Sequence, residues 1–157
     1  MNIIITGASK GIGRALALIF AKNGHHLAIC ARGQEPLHEL EKDIKKTSPN
    51  SQVISMNADV SVKSDVKKFA EKILKTWDKI DILINNAGFF IPGTIKDEDD
   101  LNLPKMIETN LYSAYYLTKY ILPNMIQHQD GQIFNICSVA SFMAYPQGGS
   151  YAISKFA

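Results

Sequence analysis

Asn2-Ile3-Ile4-Ile5-Thr6-Gly7-Ala8-Ser9-Lys10-Gly11-Ile12-Gly13 decides how the rest of the chain is read. Asn2 to Thr6 is a short, β-branched apolar run that ends in a turn, which reads as a buried strand. From Ile12 the apolar residues recur at helical spacing, with Ile12, Leu16, Ile19 and Phe20 expected on one inward stripe. Between strand and helix lie Gly7, Gly11 and Gly13, a spacing that departs from Gly-x-Gly-x-x-Gly. The physics of such a turn still carries over in part. One glycine allows the tight turn, one lets the backbone approach a pyrophosphate, and one lets helix and strand pack closely. The helix N-terminus beyond offers oriented N–H groups to an anion.

The same alternation continues outward. His26 to Ala31, Val53 to Met56, Ile80 to Ile84 and Gln132 to Cys137 read as further strands. Helices are expected from Pro36 to about Lys46, from a Ser61 cap to about Trp77, and from about Leu103 to Gln127, with another beginning near Tyr151. Val62, Val66, Phe69, Ile73 and Leu74 are expected to face inward, and Pro123 to kink or loosen the long helix. Five short strands alternating with helices predict an α/β, doubly wound parallel sheet of Rossmann type in a single domain over residues 1–157. In such sheets ligands bind at the carboxyl ends of the strands. Gly7, Arg32, Asp59, Asn85 and Ser138 all fall at strand ends, which points to one shared site.

Composition narrows the classes. The formal net charge of +2 and the lack of a basic run argue against a nucleic-acid partner. No stretch reaches the length of a membrane span, and Met1 to Gly7 is too short for a signal h-region. Cys30 and Cys137, the only two cysteines, sit at the ends of apolar runs and read as buried thiols, which fits a cytoplasmic protein. Asp97-Glu98-Asp99-Asp100 reads as a solvated surface or helix N-terminus rather than a metal site, because no His accompanies it. The four histidines are scattered, so no metal is expected.

The tip of the second strand is where an adenine ribose would lie. An acid there would take the ribose hydroxyls, whereas an Arg would accommodate a 2′-phosphate. This tip reads Ala31-Arg32 with no acid, and Lys10 adds a second cation, so NADPH is expected in preference to NADH. The other reading of Arg32 is a surface residue at a strand end. Further on, Tyr151 and Lys155 are four residues apart and share one helix face. A phenol gives up its proton only near pH ~10, and a fixed ammonium within reach favours the phenolate. Taken alone, Tyr-x-x-x-Lys is common and also reads as an ordinary helix flank.

Thr6-Gly-Ala-Ser-Lys-Gly-Ile-Gly13, Asn85-Asn-Ala-Gly88, Asn110, Ser138 and Tyr151-Ala-Ile-Ser-Lys155 together resemble the short-chain dehydrogenase/reductase family, in order and spacing, across essentially the whole chain. The resemblance implies the strand order 3-2-1-4-5 and an oxidoreductase that moves a hydride between NADPH and a small carbonyl or alcohol. It implies that Tyr151 is the proton donor and acceptor, Lys155 its partner and the holder of the nicotinamide ribose, and Ser138 the donor to the substrate oxygen. Asn110 would position a water in a proton relay to Lys155. Gly7, Ser9, Lys10, Gly11, Ile12, Gly13 and Arg32 would hold the phosphates, and Asp59 and Val60 would meet the adenine. Asn86, Ala87 and Gly88 would line the cofactor site, with Asn86 open to a structural role.

Members of the family usually continue well past this motif. The resemblance therefore implies a chain cut short after Lys155, lacking most of the substrate pocket and much of the usual homodimer or homotetramer interface. The alternative is a non-catalytic nucleotide-binding or interaction module. The loops Phe89-Phe90-Ile91-Pro92 and Phe142-Met143-Ala144-Tyr145-Pro146 read as apolar pocket walls or, equally, as core or interface packing.

Overall fold

The computed structural model describes residues 1–157. Its elements are β1 (Asn2–Thr6), α1 (Gly11–Lys22), β2 (His26–Ala31), α2 (Gln34–Thr47), β3 (Val53–Asn57), α3 (Lys63–Thr76), β4 (Ile82–Asn85), α4 (Asn102–Ile107), a π-helical turn (Glu108–Tyr112), α5 (Ser113–Gln127), β5 (Gln132–Asn135), a 3-10 turn (Val139–Ser141) and α6 (Gly149–Phe156). The strands form one parallel sheet in the order β3-β2-β1-β4-β5, the order expected. No helix is long and apolar enough to cross a membrane.

The continuous Ile run of β1 follows from burial on both faces. Successive side chains point to opposite sides. Ile3 and Ile5 join Leu27, Ile29, Leu40 and Ile44 under α1 and α2. Ile4 joins Phe69, Ile73, Leu83, Leu117 and Ile121 under α3 and α5. Each such fully buried side chain contributes about 1.5–3 kcal/mol through removal from water.

Several expectations are corrected. The fully buried stripe of α1 is Gly13, Ala17 and Ala21; Leu16 and Phe20 pack on the core from its flanks as expected, whereas Ile12 and Ile19 are 60% and 56% exposed. At Gly13 a Cβ would lie 2.5 Å from Gly7 O, so no side chain fits there. On α3, Val66, Phe69 and Ile73 are buried, but Val62 and Leu74 are turned outward. Ser61 does not cap α3; its hydroxyl donates to Asp59 Oδ1 at 2.7 Å. Helix α2 begins at Gln34, with Pro36 inside its first turn, where a missing N–H costs nothing.

The long helix is interrupted at Glu108–Tyr112 by the π turn. There Ser113 Oγ donates to the carbonyl of Thr109 four residues back, the kind of side-chain bond that competes with the helical ladder. Helix α5 then runs through Pro123 to Gln127, with Leu122 and Pro123 exposed, so the unbonded carbonyl can face water. Strand β5 ends at Asn135, two residues earlier than expected, although Ile136 N still donates to Asn85 O at 2.9 Å.

Candidate active site

The carboxyl ends of β1, β2 and β4 open into a cleft of about 680 Å3. That size lies within the range of pockets for small molecules and cofactors, roughly 300–1,000 Å3. Gly7, Ser9, Lys10, Gly11 and Ile12 line one end with Arg32 and Val60; Asn86, Ala87 and Gly88 line the floor. Ser138, Tyr151 and Lys155 line the other end. The lining holds three cations, Lys10, Arg32 and Lys155, and no carboxylate. An anionic ligand therefore meets attraction along the whole cleft.

The glycine turn is built by reciprocal contacts between β1 and β4. Thr6 Oγ1 accepts the N–H groups of Asn86 and Ala87 at 3.1 and 3.0 Å. Asn86 Nδ2 donates to the carbonyls of Thr6 and Gly7 at 2.9 and 3.2 Å. Asn86 thus ties two strand ends together. Gly13 does not line the cleft but lies buried beneath it. A Cβ there would sit 2.5 Å from both Gly7 O and Asn86 Nδ2, so only glycine lets α1 seat on the turn.

Two other expected residues also lie outside the lining. Asp59 is turned sideways, with Oδ1 accepting the N–H and O–H of Ser61 at 3.0 and 2.7 Å. That turn presents its neighbour Val60 to the cleft. Asn110 stands behind the floor, on the π turn. Its Oδ1 accepts Phe89 N at 2.9 Å, and its Nδ2 donates to Phe89 O at 3.1 Å and Ser154 Oγ at 2.9 Å. Both amide protons are thus taken by protein groups, while Oδ1, with one of its two lone pairs used, can accept one bond more.

At the far end, Ser138 Oγ accepts the N–H of Ala140 at 3.1 Å. As a hydroxyl it keeps its own proton to donate elsewhere. Lys155 Nζ donates to Ile136 O at 3.1 Å, which holds the ammonium over the end of β5. The Tyr151 ring packs edge-on against Phe90, with centroids 4.7 Å apart.

Sequence reasoning missed the walls that Thr109, Ile136 and Cys137 supply. Phe89 and Phe90, open in sequence between walls and packing, both line the cleft, and Phe89 lies beneath the Arg32 guanidinium, 6.0 Å from its ring centroid. Cys137 is exposed, contrary to expectation, because β5 stops before it. Cys30 is buried as expected, and burial pushes its thiol up to about 12.

A parallel α/β sheet in this strand order, with a cationic, glycine-rich cleft at the carboxyl ends of its strands, has the architecture of the dinucleotide-binding folds. A family profile described as short chain dehydrogenase matches residues 1–157, and the chain belongs to that family of oxidoreductases. It is 33% identical over 159 residues to Dehydrogenase/reductase SDR family member 7B of Bos taurus, covering 99% of this chain and 49% of that protein. The chain thus spans about half the length of this curated relative.

Among solved structures, an alcohol dehydrogenase of the archaeon Thermococcus sibiricus, complexed with 5-hydroxy-NADP, superposes with a TM-score of 0.91 at 28% identity. That match covers 99% of this chain and 65% of the other. An NAD+-bound xylitol dehydrogenase superposes with a TM-score of 0.92 at 26% identity, covering 99% and 59%. Solved structures of similar fold thus hold both nicotinamide nucleotides.

Proposed function

We propose that the protein moves a hydride between NADPH and a small carbonyl or alcohol substrate, with Tyr151 as proton donor in reduction and acceptor in the reverse. The observation that carries this reading is the assembly, in one cleft free of carboxylates, of a glycine turn at a helix N-terminus, Arg32, and the trio Ser138, Tyr151 and Lys155.

The residues present fit a nicotinamide dinucleotide. Backbone N–H groups of Ser9 to Ile12 receive the pyrophosphate at the start of α1. Arg32 and Lys10 take the 2′-phosphate, which favours NADPH over NADH. Val60 would pack on the adenine, with Asp59 next to it outside the lining. Asn86, Ala87 and Gly88 support the floor, and Lys155 holds the nicotinamide ribose.

The bound nucleotide supplies the hydride. The protein orients the substrate and moves the proton. Ser138 donates a hydrogen bond from its hydroxyl to the substrate oxygen and keeps its proton, polarising the carbonyl. Tyr151 delivers its phenolic proton to that oxygen as the carbon is reduced, and Lys155 stabilises the negative charge left on the phenol. Asn110 ties the loop at Phe89 to α6 and would position the water of a proton relay to Lys155. The same reading has the protein work in the cytoplasm as a homodimer or homotetramer, supported by its two free thiols and by the exposed Tyr112, Tyr115 and Ile126 of the π turn and α5.

The test uses the whole polypeptide as its source makes it, with NADPH and a panel of ketones, 3-ketoacyl esters and diketones. Tyr151→Phe should lower turnover about 10²- to 10⁴-fold, the usual worth of a positioned acid, while NADPH still binds. Unchanged turnover would remove Tyr151 from the mechanism. Nucleotide binding with no hydride transfer to any substrate would leave a nucleotide-binding module instead.

A further inference from the structure

We propose that Glu98 is a positioning residue for α6, the helix that carries Tyr151 and Lys155, and that it acts as an N-terminal cap supplied by a distant loop. The proposal rests on the reading of Tyr151 as proton donor.

Helix α6 has eight residues, Gly149 to Phe156. A helix this short is marginal by itself, since stability in isolation needs ~12–15 residues. Its first-turn N–H groups need acceptors. The residue at the cap position, Gly148, has no side chain to offer, and the first turn contains no acid. Glu98 fills both roles from 52 positions away. One carboxylate oxygen, Oε2, accepts Ser150 N at 3.3 Å, and the other, Oε1, accepts Ser150 Oγ at 2.5 Å. Ser150 is 2% exposed. A carboxylate here also complements the positive end of the helix dipole.

Its acidic neighbours behave differently. Asp97 accepts Thr94 Oγ1 and Asp99 accepts Leu101 N, both local turn contacts. Only Glu98 of this cluster reaches α6. A second bond joins the same two segments, from Gly93 N to Gln147 O at 3.1 Å. Gly149 sits at φ +35°, and a Cβ there would lie 2.5 Å from Gly93 O and 3.0 Å from Glu98 Oε2. The loop after β4 is thus seated directly on the start of α6. The same loop carries Phe90, whose ring meets that of Tyr151. Tyr151 is held from its own helix and from the loop by one latch.

Ser150 immediately precedes Tyr151, so slack in the latch becomes displacement of the phenol. A displacement of ~1 Å can lower the rate ~10²-fold. Glu98→Ala should therefore lower kcat roughly 10- to 100-fold, with KM and NADPH affinity near the parent values. Glu98→Gln should restore most of kcat. Its Oε1 can accept Ser150 N–H while Nε2 donates to Ser150 Oγ, which is able to accept. Ser150→Ala, which removes one of the two bonds, should fall between.

Hydrogen–deuterium exchange gives a readout independent of turnover. Amides of residues 149–156 should exchange faster in Glu98→Ala and return to the parent rate in Glu98→Gln. Parent-like kcat and exchange in Glu98→Ala would overturn the proposal. Equal impairment of the Ala and Gln variants would overturn the hydrogen-bond account. If Glu98→Ala does not fold, Ser150→Ala and Glu98→Gln carry the comparison alone. If Tyr151→Phe turns over normally, the catalytic reading fails, and exchange still decides whether Glu98 holds α6.

Discussion

Asn110 Nδ2 donates to Ser154 Oγ across 2.9 Å, joining the π turn to the helix that bears Tyr151 and Lys155. Ser154 in turn donates to Tyr151 O at 2.8 Å, so the contact reaches the backbone of the proposed acid itself. The extra residue of the π turn sets Asn110 where it can also pair with both backbone groups of Phe89. Such turns recur at functional sites. Asn110→Ala would strand these partners, each unsatisfied group costing about 1–3 kcal/mol where it is buried. We expect a lower urea midpoint with an unchanged slope and a loss of turnover. Asn110→Asp keeps an acceptor for Phe89 N but loses the donor to Phe89 O and Ser154, so it should not rescue.

Gly13 tests the seating of α1. A Cβ would need to displace Gly7 O and Asn86 Nδ2, each 2.5 Å away. Overpacking of this kind costs about 1–3 kcal/mol. For a domain of this size that lowers Tm by roughly 2–4 °C per kcal/mol. Gly13→Ala should therefore melt several degrees lower and bind nucleotide more weakly, because the displaced Gly7 belongs to the turn proposed to hold the phosphates. A Tm equal to the parent would mean that the helix can move aside freely.

Arg32 tests nucleotide choice. It is exposed at the end of β2, over Phe89, and no acid lines the cleft beside it. A hydrogen bond to a charged group contributes about 1.5–3 kcal/mol, which is roughly ten- to a hundredfold in affinity. Arg32→Asp should lower NADPH affinity by that factor and leave NADH affinity near or above the parent value. Equal affinities for the two nucleotides in the parent, measured by fluorescence titration, would remove the argument from Arg32 and Lys10.

The opposite end of the sheet gives a pH prediction. Lys79 Nζ bonds Asp130 Oδ2 at 2.6 Å, which holds the Asp130 carboxyl below its ordinary value, while bonds from Lys79 to Asp130 and Asp81 hold the ammonium above its own. A lowered carboxyl contributes stability above its unfolded value and loses it as pH falls through the folded one. A raised ammonium loses its contribution only as pH climbs through its raised value. The pair therefore acts between these limits and weakens on the acid side first. Melting followed from about pH 7 to about pH 3, across the ordinary Asp value of ~3.9, should fall less steeply in Asp130→Asn than in the parent. Because the pair is exposed, high salt should shrink the difference.

The strand–turn–helix start, the alternation of strands and helices and the gathering of unusual residues at strand ends were all legible along the chain. Each rests on local chemistry: β-branched runs, helical spacing, and glycines where no other residue turns. Tyr151 and Lys155 could be paired for the same reason, since four residues of helix bring them to one face. What folding alone decided involves contacts between distant segments. The inward stripe of α1 includes Gly13 because Gly7 O and Asn86 press against it, a distance no helical period encodes. Asp59 turns to Ser61, Cys137 lies bare beyond the end of β5, and Asn110 binds the backbone of Phe89, since each outcome depends on where a neighbouring element stops. Glu98 looked like one of four equivalent surface acids. It differs from them only because the loop after β4 comes to rest on a helix start 52 residues later, where an uncapped N–H and a hydroxyl face it.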